Sequence, residues 1–208
     1  MEADDLEQLK TAISLLDRGH VDQGVEILES LRSRYPDDPV ILGSLGMVSL
    51  AREEYGRAEQ LLNAALEANP TFYPALVNKG ILLVNLGDIE GAITLYDRAI
   101  ALNPKYVQAL SNKGNALALL GRVDDALALY ERVIEIQPGF ADAHYNRAYT
   151  LYQQGDLERA LEELEQTVTL NPTHVSALHL KTTIHLERGE EQRARHCKEL
   201  LKRVRSRR

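Results

Sequence analysis

The sequence has few of the features that mark secreted or membrane-spanning proteins. It contains a single cysteine, Cys197, which excludes a disulfide framework within the chain and indicates a reducing compartment. No segment approaches the roughly 18 consecutive apolar residues that a transmembrane helix needs. The acidic start, MEADDLEQLK, lacks the apolar core of a secretory signal. We therefore expect a cytoplasmic protein without a membrane span.

The sequence also lacks the short motifs that carry known catalytic chemistry. It has no glycine-rich phosphate loop, no nucleophile-elbow serine and no His-Glu-x-x-His pattern. Four histidines lie late in the chain, but His179 and His185 are six residues apart and fall on different faces of a helix, so we expect no metal site. Paired acids such as Asp124 and Asp125 suit a helix start better than acid–base chemistry. The sequence predicts neither an enzyme nor a cofactor.

Charge is distributed unevenly along the chain. The formal net charge is −7, yet the residues from Glu190 to the end carry eight Lys or Arg against three acids. That segment is therefore +5 and the rest of the chain is −12. An acidic body argues against nucleic acid as the main ligand, because phosphate binding relies on a basic surface.

Prolines recur at a fixed spacing of 34 residues, at Pro36, Pro70, Pro104, Pro138 and Pro172. A constant period of this kind is typical of a repeat array. Counting back from each proline divides the chain into six repeats, 5–38, 39–72, 73–106, 107–140, 141–174 and 175–208. We expect them to form a single domain over residues 1–208, with the last repeat as a basic cap.

Each repeat has the pattern of two amphipathic helices. In the third repeat Leu76, Gly80 and Leu83 follow the spacing of one helix face, and Gly87 ends that helix. The matching stop is a glycine in every repeat except the second, where Glu53 takes its place. Small residues recur in both helices, which predicts that the helices pack closely. These residues are Ala12, Gly46, Gly80, Gly114 and Ala148 on the first helix and Gly24, Ala58, Ala92, Ala126, Ala160 and Ala194 on the second.

This pattern resembles the tetratricopeptide repeat (TPR) family from residue 5 to residue 208. In the third repeat Gly80, Gly87, Ala92, Tyr96 and Pro104 match the family's positions for a small residue, Gly, Ala, an aromatic and Pro. The resemblance implies an all-α fold, an α-solenoid in which antiparallel helix pairs form a right-handed superhelix. It also implies an adaptor or scaffold that binds a peptide or protein in a concave groove.

An asparagine recurs at the sixth place of three consecutive repeats, as Asn78, Asn112 and Asn146. At 100° per residue this place points roughly opposite the buried stripe. An amide side chain carries both a donor and an acceptor, and so can pair with the backbone of an extended peptide. TPR superhelices of protein-glycosylating enzymes use a similar asparagine row in this way, and the resemblance implies that role here. Alternatively, each amide bonds a neighbouring helix and only sets spacing.

Further polar residues lie beside this row on the same predicted face. Tyr149 is the best anchor, since rigid amphipathic rings are enriched at binding hot spots. We expect Tyr145 and Tyr152, on the flank of that face, to pack between adjacent first helices. The predicted peptide-binding set is Asn78, Asn85, Asn112, Asn115, Asn146, Tyr149 and Gln153.

The basic final helix allows three interpretations. It is a soluble cap, or it contacts an acidic partner or the acidic body of another copy, or it attaches weakly to nucleic acid or an anionic membrane. Its candidate contact residues are Arg193, Lys198, Lys202 and Arg205. Besides the adaptor, the sequence thus leaves open a self-assembling scaffold that acts through its terminal repeats, and an electrostatic tether. The identity of the partner does not follow from the sequence.

Overall fold

The computed structural model describes residues 1–206; Arg207, Arg208 and the side chain of Arg205 lie outside the described residues. Within that range the chain forms twelve α-helices and no strand, which confirms the predicted all-α class. None of these helices is long and apolar enough to cross a membrane. The helices are α1 (Ala3–Asp17), α2 (Val21–Arg34), α3 (Pro39–Ala51), α4 (Tyr55–Ala68), α5 (Tyr73–Asn85), α6 (Ile89–Leu102), α7 (Val107–Leu119), α8 (Val123–Ile136), α9 (Ala141–Gln153), α10 (Leu157–Leu170), α11 (Val175–Glu187) and α12 (Glu191–Arg205).

The helices are arranged as consecutive pairs with short connections. The first helices of repeats two to six begin at Pro39, Tyr73, Val107, Ala141 and Val175, the starts inferred from the proline period, and α1 begins at Ala3. In unit 1 (Met1–Asn112), α1 packs on α2, α3 on α4 and α5 on α6, and α2 and α4 also pack on the first helix of the following repeat. In unit 2 (Lys113–Arg208), α9 packs on α10 and α11 on α12, and α8 and α10 also pack on the first helix of the following repeat. Stacked helix pairs of this kind form an α-solenoid.

The chain divides into two compact units, Met1–Asn112 and Lys113–Arg208, with the boundary inside α7. In unit 1 the core runs through the leucines of α1 to α4, among them Leu28, Leu31 and Leu62, all fully buried. In unit 2 it includes Leu164 of α10 and Ile184 of α11. The expectation of a single domain over residues 1–208 stays a prediction.

Asparagine followed by proline ends three of the second helices, α4, α6 and α10. Asn69, Asn103 and Asn171 leave the helical conformation, and the proline that follows each of them has no N–H with which to continue the helix. Their side-chain Oδ1 atoms accept the backbone N–H two residues later, at 3.0 Å in the case of Asn69 and Thr71. This Asx turn redirects the chain toward the next repeat.

The two helices of a pair approach so closely that one side must carry a small residue. A Cβ added to Gly80 would lie 2.4 Å from Cε1 of Tyr96, and one added to Gly114 would lie 2.6 Å from Cε1 of Tyr130. Both rings are buried. Burial moves the pKa of the Tyr96 phenol well above its usual value. The close packing predicted from the recurring small residues is therefore present.

Gly80→Ala tests this contact. Alanine is the better helix former by about 1 kcal/mol, but overpacking costs about 1–3 kcal/mol, so we expect a net loss of stability in urea unfolding. Adding Tyr96→Leu recreates the alanine–leucine combination of Ala148 and Leu164, and we expect the double variant to lose less than the sum of its single variants.

Gly56→Ala is the matched control, because an added Cβ there meets nothing within 4 Å. It should leave stability unchanged or raise it by up to about 1 kcal/mol. Strictly additive effects of Gly80→Ala and Tyr96→Leu would contradict the account.

The turns between paired helices require a left-handed residue. Gly19, Gly87, Gly121, Gly155 and Gly189 all have positive φ, from 71° to 88°. Among the described residues, Glu53 is the one non-glycine residue with positive φ, at 59°. A side chain in this conformation costs about 1–2 kcal/mol. The second repeat therefore keeps the turn geometry at the expense of local strain.

We expect Glu53→Gly to raise the free energy of unfolding by about 0.5–1 kcal/mol, because it removes that strain. The neighbouring Glu54 has φ of −80°, so Glu54→Gly is the control and should lower stability by a similar amount. Urea unfolding of both variants provides the measurement. A Glu53→Gly chain no more stable than the wild type would contradict this explanation.

Candidate functional site

A pocket of about 310 Å³ lies among α7, α8 and α9 in unit 2. Tyr149 and Leu119 are its most exposed apolar residues, at 45% and 65%. Concave sites with exposed apolar side chains and a few polar groups are the usual form of a binding site. The pocket is lined by Asn115, Ala118, Leu119, Tyr130, Tyr145, Asn146, Tyr149, Thr150 and Gln153.

Four of the seven residues predicted to bind peptide meet in this pocket, namely Asn115, Asn146, Tyr149 and Gln153. Asn78, Asn85 and Asn112 belong to unit 1, where Asn85 is exposed and the other two are half-buried. Asn146 is half-buried as well, and so the sixth place is less open than its helical angle suggested. Whether any of these residues contacts a ligand stays a prediction.

One of the pocket amides is held in place by a tyrosine beneath it. The Tyr130 hydroxyl donates a hydrogen bond of 2.8 Å to Oδ1 of Asn115. The Tyr130 ring is buried against Gly114, and burial raises the pKa of its phenol to about 12. The phenol therefore remains a neutral donor at ordinary pH. It fixes the orientation of Asn115 and leaves the amide N–H₂ group available to a ligand.

Two tyrosines on α9 form one wall of the pocket. The rings of Tyr145 and Tyr149 are stacked with centroids 6.3 Å apart, and Tyr145 also lies 4.9 Å from the His174 ring. Burial raises the pKa of the Tyr145 phenol above its usual value. Tyr145 thus supports Tyr149 and joins the pocket, beyond the packing role expected from its position. Tyr152 does bridge adjacent first helices, since its hydroxyl donates to Glu187 at 2.6 Å.

Sequence reasoning missed several residues of this pocket. Tyr130, Ala118 and Thr150 line the pocket but are not among the residues that the sequence predicts to bind peptide. The Thr150 hydroxyl donates to the Asn146 carbonyl at 2.9 Å. The spacing of Tyr145 and Tyr149, one helical turn apart, was the available signal for an aromatic wall.

The candidate electrostatic residues lie on α12. Arg193 is exposed and pairs with Glu190 at 3.2 Å, whereas Lys198 and Lys202 are exposed and form no ion pair within residues 1–206. The side chain of Arg205 lies outside the described residues.

Two other groups of this region have shifted pKa values. The hydrogen bond from His185 lowers the pKa of the Glu190 carboxyl, and burial raises the pKa of the Cys197 thiol. No group of His, Cys, Asp and Glu residues suited to a metal ion occurs in the described part of the chain.

Several solved structures resemble this chain. It is similar to YrrB, a TPR protein with an unusual peptide-binding site, at 28% identity, 84% coverage of this chain, 90% coverage of that chain and a TM-score of 0.58. It shares its fold with a TPR protein of Thermus thermophilus, at 19% identity and a TM-score of 0.79, with 88% of this chain and 99% of that chain covered. It also shares its fold with PilW, a widely conserved type IV pilus biogenesis factor, at 20% identity and a TM-score of 0.81, with 97% of this chain and 93% of that chain covered.

Among curated proteins, none matches this chain significantly. Tetratricopeptide repeat family models match residues 9–71 and 77–139, and a further one matches residues 117–184. These ranges contain the helix pairs α3–α4, α7–α8 and α9–α10 and the pocket described above, while α12 lies beyond them. The chain therefore belongs to the tetratricopeptide repeat family, whose fold is typical of protein-interaction scaffolds.

Proposed function

We propose that this chain is a non-catalytic adaptor that binds an extended peptide or protein segment of a partner, with the pocket of α7, α8 and α9 as its anchor point. The observation that carries the proposal is the combination of an exposed Tyr149 and Leu119 with the oriented amide of Asn115 in one pocket. Aromatic anchors surrounded by hydrogen-bonding groups are typical of sites that hold a segment of another protein.

The chemistry of the pocket favours an uncharged anchor on the ligand. Its lining residues include amides, hydroxyls, phenols and aliphatic groups, but no carboxylate, imidazole, ammonium or guanidinium. A charged ligand side chain would lose its water there without gaining an opposite charge, which is costly. A leucine or an aromatic side chain loses no such interaction and gains apolar contact with Leu119 and Tyr149.

The same lining favours binding over chemistry. The groups that most often transfer protons or attack a substrate are imidazoles, carboxylates and activated thiols or hydroxyls. Two of the four hydroxyls of this pocket are instead engaged in structure, since Tyr130 donates to Asn115 and Thr150 donates to the Asn146 carbonyl.

Pre-organisation of the Asn115 amide supports recognition of the backbone of the bound segment. Asn115 is held by Tyr130, so little side-chain freedom is lost when its N–H₂ group donates to a peptide carbonyl. The peptide-binding site reported for YrrB, at 28% identity, supports the same class of ligand. We extend the proposal to Asn78 and Asn112 of unit 1, which occupy the same place in their repeats.

The test uses a peptide selected from a random display library against the intact chain. We expect Tyr149→Ala to weaken binding of that peptide roughly 30-fold, the effect of losing about 2 kcal/mol at a hot spot, and Leu119→Ala to weaken it about tenfold. Replacing Asn78, Asn112 and Asn146 together by alanine should also weaken it. Fluorescence anisotropy measures each affinity, and circular dichroism confirms that each variant is folded.

Leu170→Ala is the matched control for Leu119→Ala, since Leu170 is another exposed leucine of unit 2 at a helix end, outside the pocket. Its effect on affinity should be less than about twofold. Selected peptides that bind all folded variants equally would show that the pocket is not the binding site.

A further inference from the structure

The two ends of the chain carry opposite charges of equal size. Residues 1–38 contain ten acids and four Lys or Arg, whereas residues 175–208 contain ten Lys or Arg and four acids. The formal net charges are thus −6 and +6, with histidine neutral. Opposite potentials on two surfaces attract across molecules and select partners, which makes the ends of two copies complementary.

Neighbouring repeats are joined by ion pairs in a constant register. In unit 2 Glu165 of α10 pairs with Lys181 of α11, and in unit 1 Asp22 of α2 pairs at 2.6 Å with Arg52, next to α3. Glu165 is the twenty-fifth residue of its repeat, and its partner Lys181 is the seventh residue of the next. Asp22 is the eighteenth residue of its repeat, and its partner Arg52 is the fourteenth residue of the next. Late residues of a second helix therefore lie opposite early residues of the following first helix.

Within the described residues of unit 2, no further repeat packs on the corresponding face of the helix pair α11–α12. Leu186 lies at the twelfth place of its repeat and is 48% exposed, whereas Leu50 at the same place in the second repeat is 8% exposed. On α12 the stacking positions are taken by Arg195, Lys198 and Lys202, at places that carry mostly apolar residues in the other repeats. Lys198 and Lys202 have no ion-pair partner within residues 1–206.

The helix α1 has the complementary face. The third residue of each repeat from the second to the sixth is buried. It is Ile41 in the second repeat and alanine in the others, whereas the third residue of the first repeat is the exposed Glu7. Asp4 is exposed one turn earlier, and the adjacent Leu6 is 46% exposed. In the register above, Lys202, the twenty-eighth residue of its repeat, would lie next to Glu7.

We propose that α11 and α12 of one copy receive α1 of a second copy, so that the chain associates head to tail. The contact reproduces the stacking of consecutive repeats, with Lys202 next to Glu7 of the second copy and with Lys198 and Asp4 adding charge to the same two surfaces, while Leu186 and Leu6 supply apolar area. Because the two surfaces differ, the interface is heterologous, and further copies add in the same direction.

The test measures the mass of the full chain by light scattering and sedimentation over a wide range of concentration and salt. We expect species larger than the 23.3 kDa chain at low salt. We expect them to dissociate near 1 M salt, where the Debye length falls to about 3 Å. A chain that remains monomeric at low salt and high concentration overturns the proposal.

Charge exchange identifies the surfaces. Lys198→Glu with Lys202→Glu should weaken self-association on the order of tenfold or more, and so should Asp4→Lys with Glu7→Lys. Mixing the two variants should restore a complex, because each then supplies the charge that the other lacks. The control, Arg98→Glu with Lys105→Glu, makes the same change in net charge at exposed sites of unit 1 and should leave association unchanged.

Circular dichroism establishes that each variant is folded before its mass is compared. If the wild type associates but neither pair of reversals weakens it, or if mixing the two reversed variants restores nothing, another surface is responsible and the proposal fails. This result would leave the peptide-binding proposal untouched, since none of the exchanged residues lines the pocket of α7, α8 and α9.

Discussion

The close contact between the two helices of each pair is the constraint on which the rest of the structure depends. Where a tyrosine of the second helix lies across the first, as Tyr96 and Tyr130 do, the residue beneath it is glycine. Where the second helix carries a leucine, the residue beneath it is alanine in two repeats, at Ala148 and Ala12, and glycine in the second repeat, where Gly46 lies against Leu62. This size relation sets the distance between the helices and so the shape of each repeat.

The same contact builds the candidate site in unit 2. With no Cβ at Gly114, the Tyr130 ring lies against α7, and its hydroxyl reaches Asn115 one residue further along the helix. The amide is thereby oriented beside Tyr149 and Leu119, which the stacking of α9 leaves exposed. A packing residue thus also positions a binding group, and the repeat needs no loop to form a pocket.

The sequence predicted most of the fold because the fold is periodic. The proline spacing located the helix starts at Pro39, Tyr73 and Val107, and the glycine period located the turn at Glu53, whose left-handed conformation the structure adds. The site was predicted less completely. Helical angle placed Asn146 and Tyr149 on one face. The Tyr130–Asn115 hydrogen bond and the contact of Tyr145 with His174 join different elements, and the periodicity of a single helix does not predict such contacts.

The central claim is that the pocket wall of α7 and α9 binds a segment of another protein, and NMR of unit 2 resonances in the intact chain tests it most directly. Titration with a library-selected peptide should shift the amide signals of Leu119, Asn146 and Tyr149 together and saturably, while Glu131 and Glu158, exposed on α8 and α10, stay unchanged. Shifts concentrated at Glu131 and Glu158, with the pocket signals unmoved, would contradict the account.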